Sequence, residues 1–390
     1  MNERTTVIFG IRYGPQLLIF AVGYVVFSYA AVPGLVIERF GVGFTAVGLL
    51  MSAALSAFVL VQPIGGRFVD RRATLPLLLR LGAVQAVIAV VIDVPTQFWL
   101  VLVLRALWGL VAGLVITAGA TQIARTYTGT RATRNQGVYG GVLTGGGAVA
   151  FLFTPRIVEV TGWFGVHALG GVLTVPALVT LWLGRRHAPD TAPRPASERI
   201  DSDRSTPLFD RVVVLAAGCY IAILGGYVTL STFVTAYFDD LGVTGPLNAI
   251  ALLAASLGRA SGGFAVTHPA VDDGRLIATT TAVGAAGLVA MAFGDGLALL
   301  VLPLVVLATV SLPFGAIFKT ASNAVRRDGT ALAVVVAAGN TGALVLPIVT
   351  GQLRDLTGNY DAAFLVLAVL NAGAALAGIA IVRTNAGSDR

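Results

Sequence analysis

Apolar residues run along this chain in blocks of roughly 20, divided by short polar stretches, with no two-residue alternation inside the blocks. The block "LVLVLRALWGLVAGLVITAGA" (100–120) is representative. A helix rises about 1.5 Å per residue and needs roughly 20 apolar residues to cross the hydrocarbon core. The pattern predicts twelve such helices, at 14–37, 44–67, 75–94, 98–122, 137–158, 165–184, 211–237, 246–267, 275–293, 297–318, 329–351 and 361–382. Closed β-barrels are the other spanning structure. Their strands alternate over about 10 residues, which these blocks do not. The fold class is therefore an all-α integral membrane protein. One long polar segment, "RRHAPDTAPRPASERIDSDRSTP" (185–207), is rich in Pro, Ser and charge and reads as a flexible linker. It divides the chain into an N-terminal six-helix bundle (1–184), a linker (185–209) and a C-terminal six-helix bundle (210–390).

The two halves repeat. Gly65-Gly66 recur as Gly262-Gly263, 197 residues on. "EVTG" (Glu159 to Gly162) recurs as "DLTG" (Asp355 to Gly358) at an offset of 196, and "GYVVFS" (Gly23 to Ser28) as "GYVTLS" (Gly226 to Ser231) at 203. Three matches in order, in corresponding blocks, predict two pseudo-symmetric six-helix bundles. Parallel membrane repeats of this kind imply an axis along the membrane normal and a binding site near the midplane.

Composition agrees. The chain is 56% hydrophobic and 12% charged, with a mean hydropathy of +0.86, whereas a soluble domain carries about 25% charged residues. The net charge of +7 does not point to nucleic acid, because the basic residues sit in short loops between apolar blocks. Arg67, Arg71 and Arg72, then Arg125, Arg131 and Arg134, then Arg185, Arg186, Arg194, Arg199 and Arg204, then Arg326 and Arg327 share one side with both termini. The opposite loops hold only Arg39, Arg156 and Arg354, beside Asp93, Asp239, Asp240 and Asp295. The positive-inside rule puts both termini in the cytoplasm of a multi-pass protein of the cell membrane. The first block lacks a small-residue cleavage site and is expected to be retained. The single cysteine, Cys219, lies inside a block and can form no intramolecular disulfide.

Two motifs resemble a known family. "GGRFVDRR" (65–72) sits between the second and third blocks, and "RALWGLVAG" (105–113) places an arginine and spaced glycines in the fourth. Both are similar to motifs of the major facilitator superfamily. Gly66, Asp70 and Arg71 match its loop motif; Ala73-Thr74 stand where a Gly-Arg pair is usual. The resemblance implies a monomeric secondary transporter that works by alternating access, with first and seventh helices lining the cavity. It also implies that Asp70 helps latch the cytoplasmic side, with Arg125 or Arg134 as its partner. Gly66, Asp70, Arg71, Arg125 and Arg134 are thus the gating candidates. Setting topology is the simpler role of the arginines.

Charge inside the blocks points to the site. An ion in a span costs about 2.5–3.5 kcal/mol on insertion scales, so such residues are functional candidates. Arg259, in "SLGRASGGFAV", is the deepest, and Arg105 lies at a similar depth. Lys319 is near enough to a block end to snorkel. Asp, Glu and His are expected only at block ends, with His167 and His187 flanking the sixth. A positive cavity favours an anion, and the guanidinium fork suits carboxylate or nitrate. "GRASGG" (258–263) resembles the arginine-bearing eighth helix of nitrate/nitrite and some monocarboxylate porters. Gln62 stands where nitrate porters carry a second arginine. Tyr24 with Ser28, and Tyr227 with Ser231, share helix faces at i, i+4 and suit a mixed pocket. Gln122 and Asn340 are candidate contacts, although lone amides in spans more often join helices. Arg259 itself is open to two readings, substrate contact or packing arginine. Metal-ligating clusters, phosphate-cradling loops and nucleophile–base spacings are missing from the sequence, so neither an enzyme nor a cofactor is expected. The partners expected are a small-molecule substrate and the bilayer, with no nucleic acid. The expected function is transport of a small anion; the alternative is export of hydrophobic, drug-like compounds.

Overall fold

A computed structural model describes residues 3–185, 210–243, 245–324 and 328–388. The predicted linker falls outside them, apart from Arg185 at a helix end. Fourteen α-helices account for nearly all of the described chain. They are α1 (Glu3–Phe27), α2 (Pro33–Phe40), α3 (Phe44–Asp70), α4 (Thr74–Ile92), α5 (Phe98–Thr126), α6 (Gly129–Thr161) and α7 (Gly165–Arg185). After the linker come α8 (Arg211–Asp240), α9 (Leu247–Ala265), α10 (Asp273–Phe293), α11 (Ala298–Ser311), α12 (Phe314–Ala324), α13 (Asp328–Thr357) and α14 (Asp361–Ser388). Each predicted block coincides with one of them, except that two blocks are broken.

Both breaks have a proline behind them. The first block ends its helix at Phe27, turns through a short 3-10 segment (Ser28–Ala31) and restarts at Pro33. A residue before proline is pushed out of the helical region, and Val32 indeed sits at φ −137°, ψ 55°. In the tenth block, Pro313 lacks an N–H and its ring crowds the carbonyl four residues back. α11 therefore stops at Ser311 and α12 begins at Phe314.

Ten segments among the described residues are long and apolar enough to cross a membrane. Two facts reconcile this with twelve blocks. One segment, Arg134–Gly184, runs through both α6 and α7. α9, carrying Asn248, Ser256, Arg259 and Ser261, is too polar to qualify. The outer faces are apolar: Val103 and Leu107 on α5, Leu253 and Leu257 on α9 are exposed one turn apart. Lipid is the solvent those faces fit.

The helices form two compact units, Met1–Leu35 with Ala53–Ser202, and Val36–Ser52 with Asp203–Arg390. The second unit thus includes most of α2 and the first turns of α3, which precede the sequence's division at 185–209. Asp355 draws them in by accepting hydrogen bonds from the Phe44 and Thr45 amides, each at 2.8 Å. Ser52 Oγ donates to Leu344 O at 2.6 Å, and Gly48 lies against the Pro347 carbonyl.

Glycine sets the helix spacing within each unit. In unit 1, α1 crosses α6 where a β-carbon on Gly23 would stand 1.8 Å from Leu143 O, and one on Gly146 2.0 Å from Phe20 O. In unit 2 the corresponding pair is α8 and α13, touching at Gly225 and Gly342. α3 packs on α5 through Gly109 and Gly113, and α9 packs on α11 through Gly258 and Gly262. Lipid tails are as apolar as leucine, so helices associate through such close backbone contact. The repeated "TG" also has one job in both units: Gly162 (φ +59°) and Gly358 (φ +79°) end α6 and α13 in a backbone region that glycine enters without strain.

Candidate functional site

Unit 1 buries a chain of charge. α4 ends at Asp93, whose carboxylate meets the start of α7, where the first backbone N–H groups have no helical partner. Asp93 Oδ2 accepts from His167 N at 2.7 Å and Ala168 N at 2.9 Å. Asp93 Oδ1 lies 2.6 Å from His167 Nδ1, and His167 Nε2 lies 2.9 Å from Arg105 Nη1. Arginine only donates and a carboxylate only accepts. The imidazole is therefore neutral, with its proton on Nδ1 and its Nε2 lone pair turned to Arg105. Arg105 also donates to Val25 O and Val26 O, both at 3.2 Å, and covers the Tyr29 ring at 4.4 Å. Arg105 and His167 are 0% exposed and Asp93 3%. Asp93 and His167 both sit at block ends, as the sequence places them, and both are nevertheless buried. The ends of α4 and α7 are themselves buried here, because the bare amides of α7 and the guanidinium of Arg105 both need the carboxylate.

Of the other unit 1 candidates, Tyr24 and Gln122 tie helices together and Ser28 bonds within its own segment. Tyr24 Oη lies 2.8 Å from Thr154 Oγ1, joining α1 to α6, and Ser28 Oγ donates to Val25 O at 3.4 Å. Gln122 Oε1 accepts from Thr74 Oγ1, joining α5 to α4, while its Nε2 donates to Thr126 Oγ1 at 3.1 Å.

Unit 2 brings its candidates to an aromatic cluster. Arg259 on α9 sets its guanidinium carbon 3.8 Å from the Phe314 ring centre and 4.8 Å from that of Tyr227. Tyr220 stands edge-on to Phe314 at 5.5 Å and to Phe318 at 5.1 Å. The Arg259 Nε is buried with no acceptor among the described residues. Ser231, one turn along α8 from Tyr227, is 0% exposed, and its hydroxyl likewise lacks a partner there. Asn340 is buried on α13. Phe314 was the residue missed: its signal was the Leu-Pro-Phe sequence at 312–314, where a break re-aims an aromatic. Elsewhere in unit 2 a cleft lined by Thr229, Phe233, Tyr237, Thr350, Tyr360 and Phe364 has free volume of about 10 Å³, room for one water and not for a solute.

At the turn between α3 and α4, Arg125 Nη1 donates to Arg72 O at 3.0 Å. Arg72 donates to Phe68 O and covers the Phe68 ring at 3.6 Å. Arg71 and Arg134 are exposed, and a β-carbon on Gly66 would meet open space. The side chains of Gln62, Arg67 and Asp70 lie outside the described residues. Unit 2 repeats the arrangement 194 residues on, where Lys319 Nζ donates to Val266 O at 3.0 Å and pairs with Asp273 at 3.0 Å.

The repeated "EVTG/DLTG" is used unequally. Glu159 is exposed, whereas Asp355 caps α3 and receives a third bond from Thr45 Oγ1 at 2.6 Å. Arg354 beside it pairs with Asp240 at 2.8 Å and covers Phe44 at 5.0 Å. Losing such a cap costs about 1 kcal/mol. Asp355→Ala is therefore expected to speed hydrogen exchange at the Phe44 and Thr45 amides several-fold, while amides within α5 keep their rates. Unchanged exchange at those two amides would remove the cap from the account.

Apolar-faced helices with charges buried among them define an all-helical membrane protein. The chain belongs to the Major Facilitator Superfamily, whose family model matches residues 16–328. Members of that family are transporters and not enzymes. The chain is also similar to the multi-drug resistance efflux pump PmrA of two Streptococcus pneumoniae strains, 32% identical over 157 residues. That stretch is 37% of this chain and 37% of each PmrA, so the chain spans well under half the length of these relatives.

Proposed function

We propose that the protein is a secondary transporter of a small anion, a carboxylate or nitrate/nitrite, with Arg259 as the main anion contact. The observation that carries this is the position of the guanidinium: stacked on Phe314 and Tyr227, with a buried Nε that no described residue satisfies. Such a cation holds a free donor for a carboxylate, and the flanking rings offer an apolar seat for the rest of the molecule. Ser231 and Tyr227 on α8, with Asn340, complete the proposed contacts. Tyr24, Gln122 and Arg105 already bind helices of unit 1 to one another, and Ser28 bonds back to its own segment; the proposed role of all four is to hold that unit rigid. The proposed setting is a monomer in the cell membrane, both termini cytoplasmic, with six-helix bundles at 1–184 and 210–390 joined by a linker at 185–209. Gly66, Asp70, Arg71, Arg125 and Arg134 form the proposed cytoplasmic latch.

A second reading is efflux of hydrophobic compounds, favoured by the similarity to PmrA. A thermal-shift screen separates the two. Purified wild type, Arg259→Gln and Arg259→Lys are challenged with nitrate, nitrite, formate, lactate, benzoate and a panel of neutral hydrophobic drugs. A ligand at 100 times its Kd stabilises by about 2.7 kcal/mol. An anion that raises the melting temperature of wild type, less that of Arg259→Lys and not that of Arg259→Gln supports the anion reading. Stabilisation only by neutral drugs, equal in all three proteins, establishes the efflux reading in its place.

A further inference from the structure

The geometry of the buried chain in unit 1 carries a second assignment, independent of the substrate. We propose that Asp93, His167 and Arg105 form a proton-binding site, in which a proton taken up at His167 Nε2 displaces Arg105 and loosens the end of α1. The imidazole has one nitrogen lone pair, and it faces the Arg105 guanidinium at 2.9 Å. Uptake from hydronium forms an N–H bond at Nε2 and leaves water. The product is an imidazolium that keeps its Nδ1–H on the Asp93 carboxylate, 2.6 Å away. That ion pair holds the new charge in place. The Nε2–H would then point at an N–H of a second cation, so the Arg105 contact reverses from attraction to repulsion.

Arg105 carries this change to α1, which it holds through Val25 O and Val26 O. Those carbonyls lie immediately before the 3-10 turn at Ser28–Ala31, where the helix is already interrupted. A displaced guanidinium leaves both without that donor. The other groups facing the site are accounted for element by element. α4 brings Asp93, and α5 brings Arg105. α1 and its turn bring Tyr24, bonded to Thr154 of α6, and Tyr29, whose ring is 6.4 Å from the imidazole. The turn before α7 brings Trp163, edge-on at 5.9 Å and not titratable.

The primary readout is made on the wild-type protein. Nitrogen-15 NMR of histidine-labelled wild-type protein, with His187→Asn and His268→Asn as assignment aids, reads both ring nitrogens of His167 directly. The expected result is one protonated and one bare nitrogen at high pH and two protonated nitrogens at low pH. Over the same range, hydrogen exchange at residues 25–32, corrected for the intrinsic effect of pH, should rise several-fold on protonation. Asp93→Asn, where it folds, should lower the midpoint by about one pH unit or more, because the carboxylate that stabilises the imidazolium is gone. A His167 ring that keeps one bare nitrogen down to the lowest pH at which the protein stays folded overturns the proposal. So does a titration that leaves exchange at residues 25–32 unchanged, which makes the chain a packing device alone.

Discussion

Replacing Asp93 by Asn is expected to destabilise the protein by about 1.5–3 kcal/mol, the range for hydrogen bonds to a charged group. The variant keeps the shape of the side chain and loses its charge. The His167 and Ala168 amides and the His167 ring then share one weaker acceptor, and Arg105 stays buried with the Asp93 charge gone. The removal leaves the rest of the network standing and uncompensated, which is why the loss exceeds that of one hydrogen bond. Thermal unfolding of the purified protein, followed by the amount of monodisperse material left after heating, measures it. Glu159→Gln is the control: exposed, and expected to change stability by no more than about 0.5 kcal/mol. Equal melting of both variants would mean that the network contributes nothing to folding.

Gly23→Ala should be nearly as damaging, although it adds a single methyl group. That β-carbon falls 1.8 Å from the Leu143 carbonyl oxygen. The obstacle is backbone of α6, so no side chain can rotate aside and α1 must shift. Overpacking of this kind costs about 1–3 kcal/mol and sometimes more. The repeat supplies its own comparison. Gly226 occupies the matching place in "GYVTLS", yet its added β-carbon would meet only Asn371 Nδ2, at an ordinary 3.6 Å. Gly226→Ala is expected to melt within about 0.5 kcal/mol of wild type. A Gly23→Ala protein as stable as Gly226→Ala would show that α1 and α6 are not held at the spacing described.

These two residues also mark the limit of what the chain alone reveals. The spans were legible because lipid demands a continuous apolar run, and a water-facing helix of roughly 20 residues would break that run with a polar face. The proline breaks before Pro33 and Pro313 were not read, since each lay inside an unbroken apolar run. Arg259 stood out as a charge deep in a block, and its aromatic neighbours come from α8 and α12, which no local pattern connects to α9. The Asp93–His167 pair escaped because an acid at a block end is ordinary in solvent. Only the fold shows that this end is covered by the start of α7. The three sequence repeats fall at corresponding places in the two units. They did not locate the tight contact, which falls on Gly225 in one unit and on Gly23 in the other.

The glycines between α3 and α5, and between α9 and α11, carry a lesson about ancestry. In the first pair the later helix supplies the small residues, Gly109 and Gly113, and the earlier one supplies Phe58 and Val61. In the second the earlier helix supplies Gly258 and Gly262, against Ala308 and Leu312 of the later one. The duplicated halves have kept a thin seam while exchanging which strip is narrow. They are therefore no longer interchangeable parts. A chimera setting α3 beside α11 would join two strips that both lack the glycine pair, and one setting α9 beside α5 would leave glycine facing glycine across a gap.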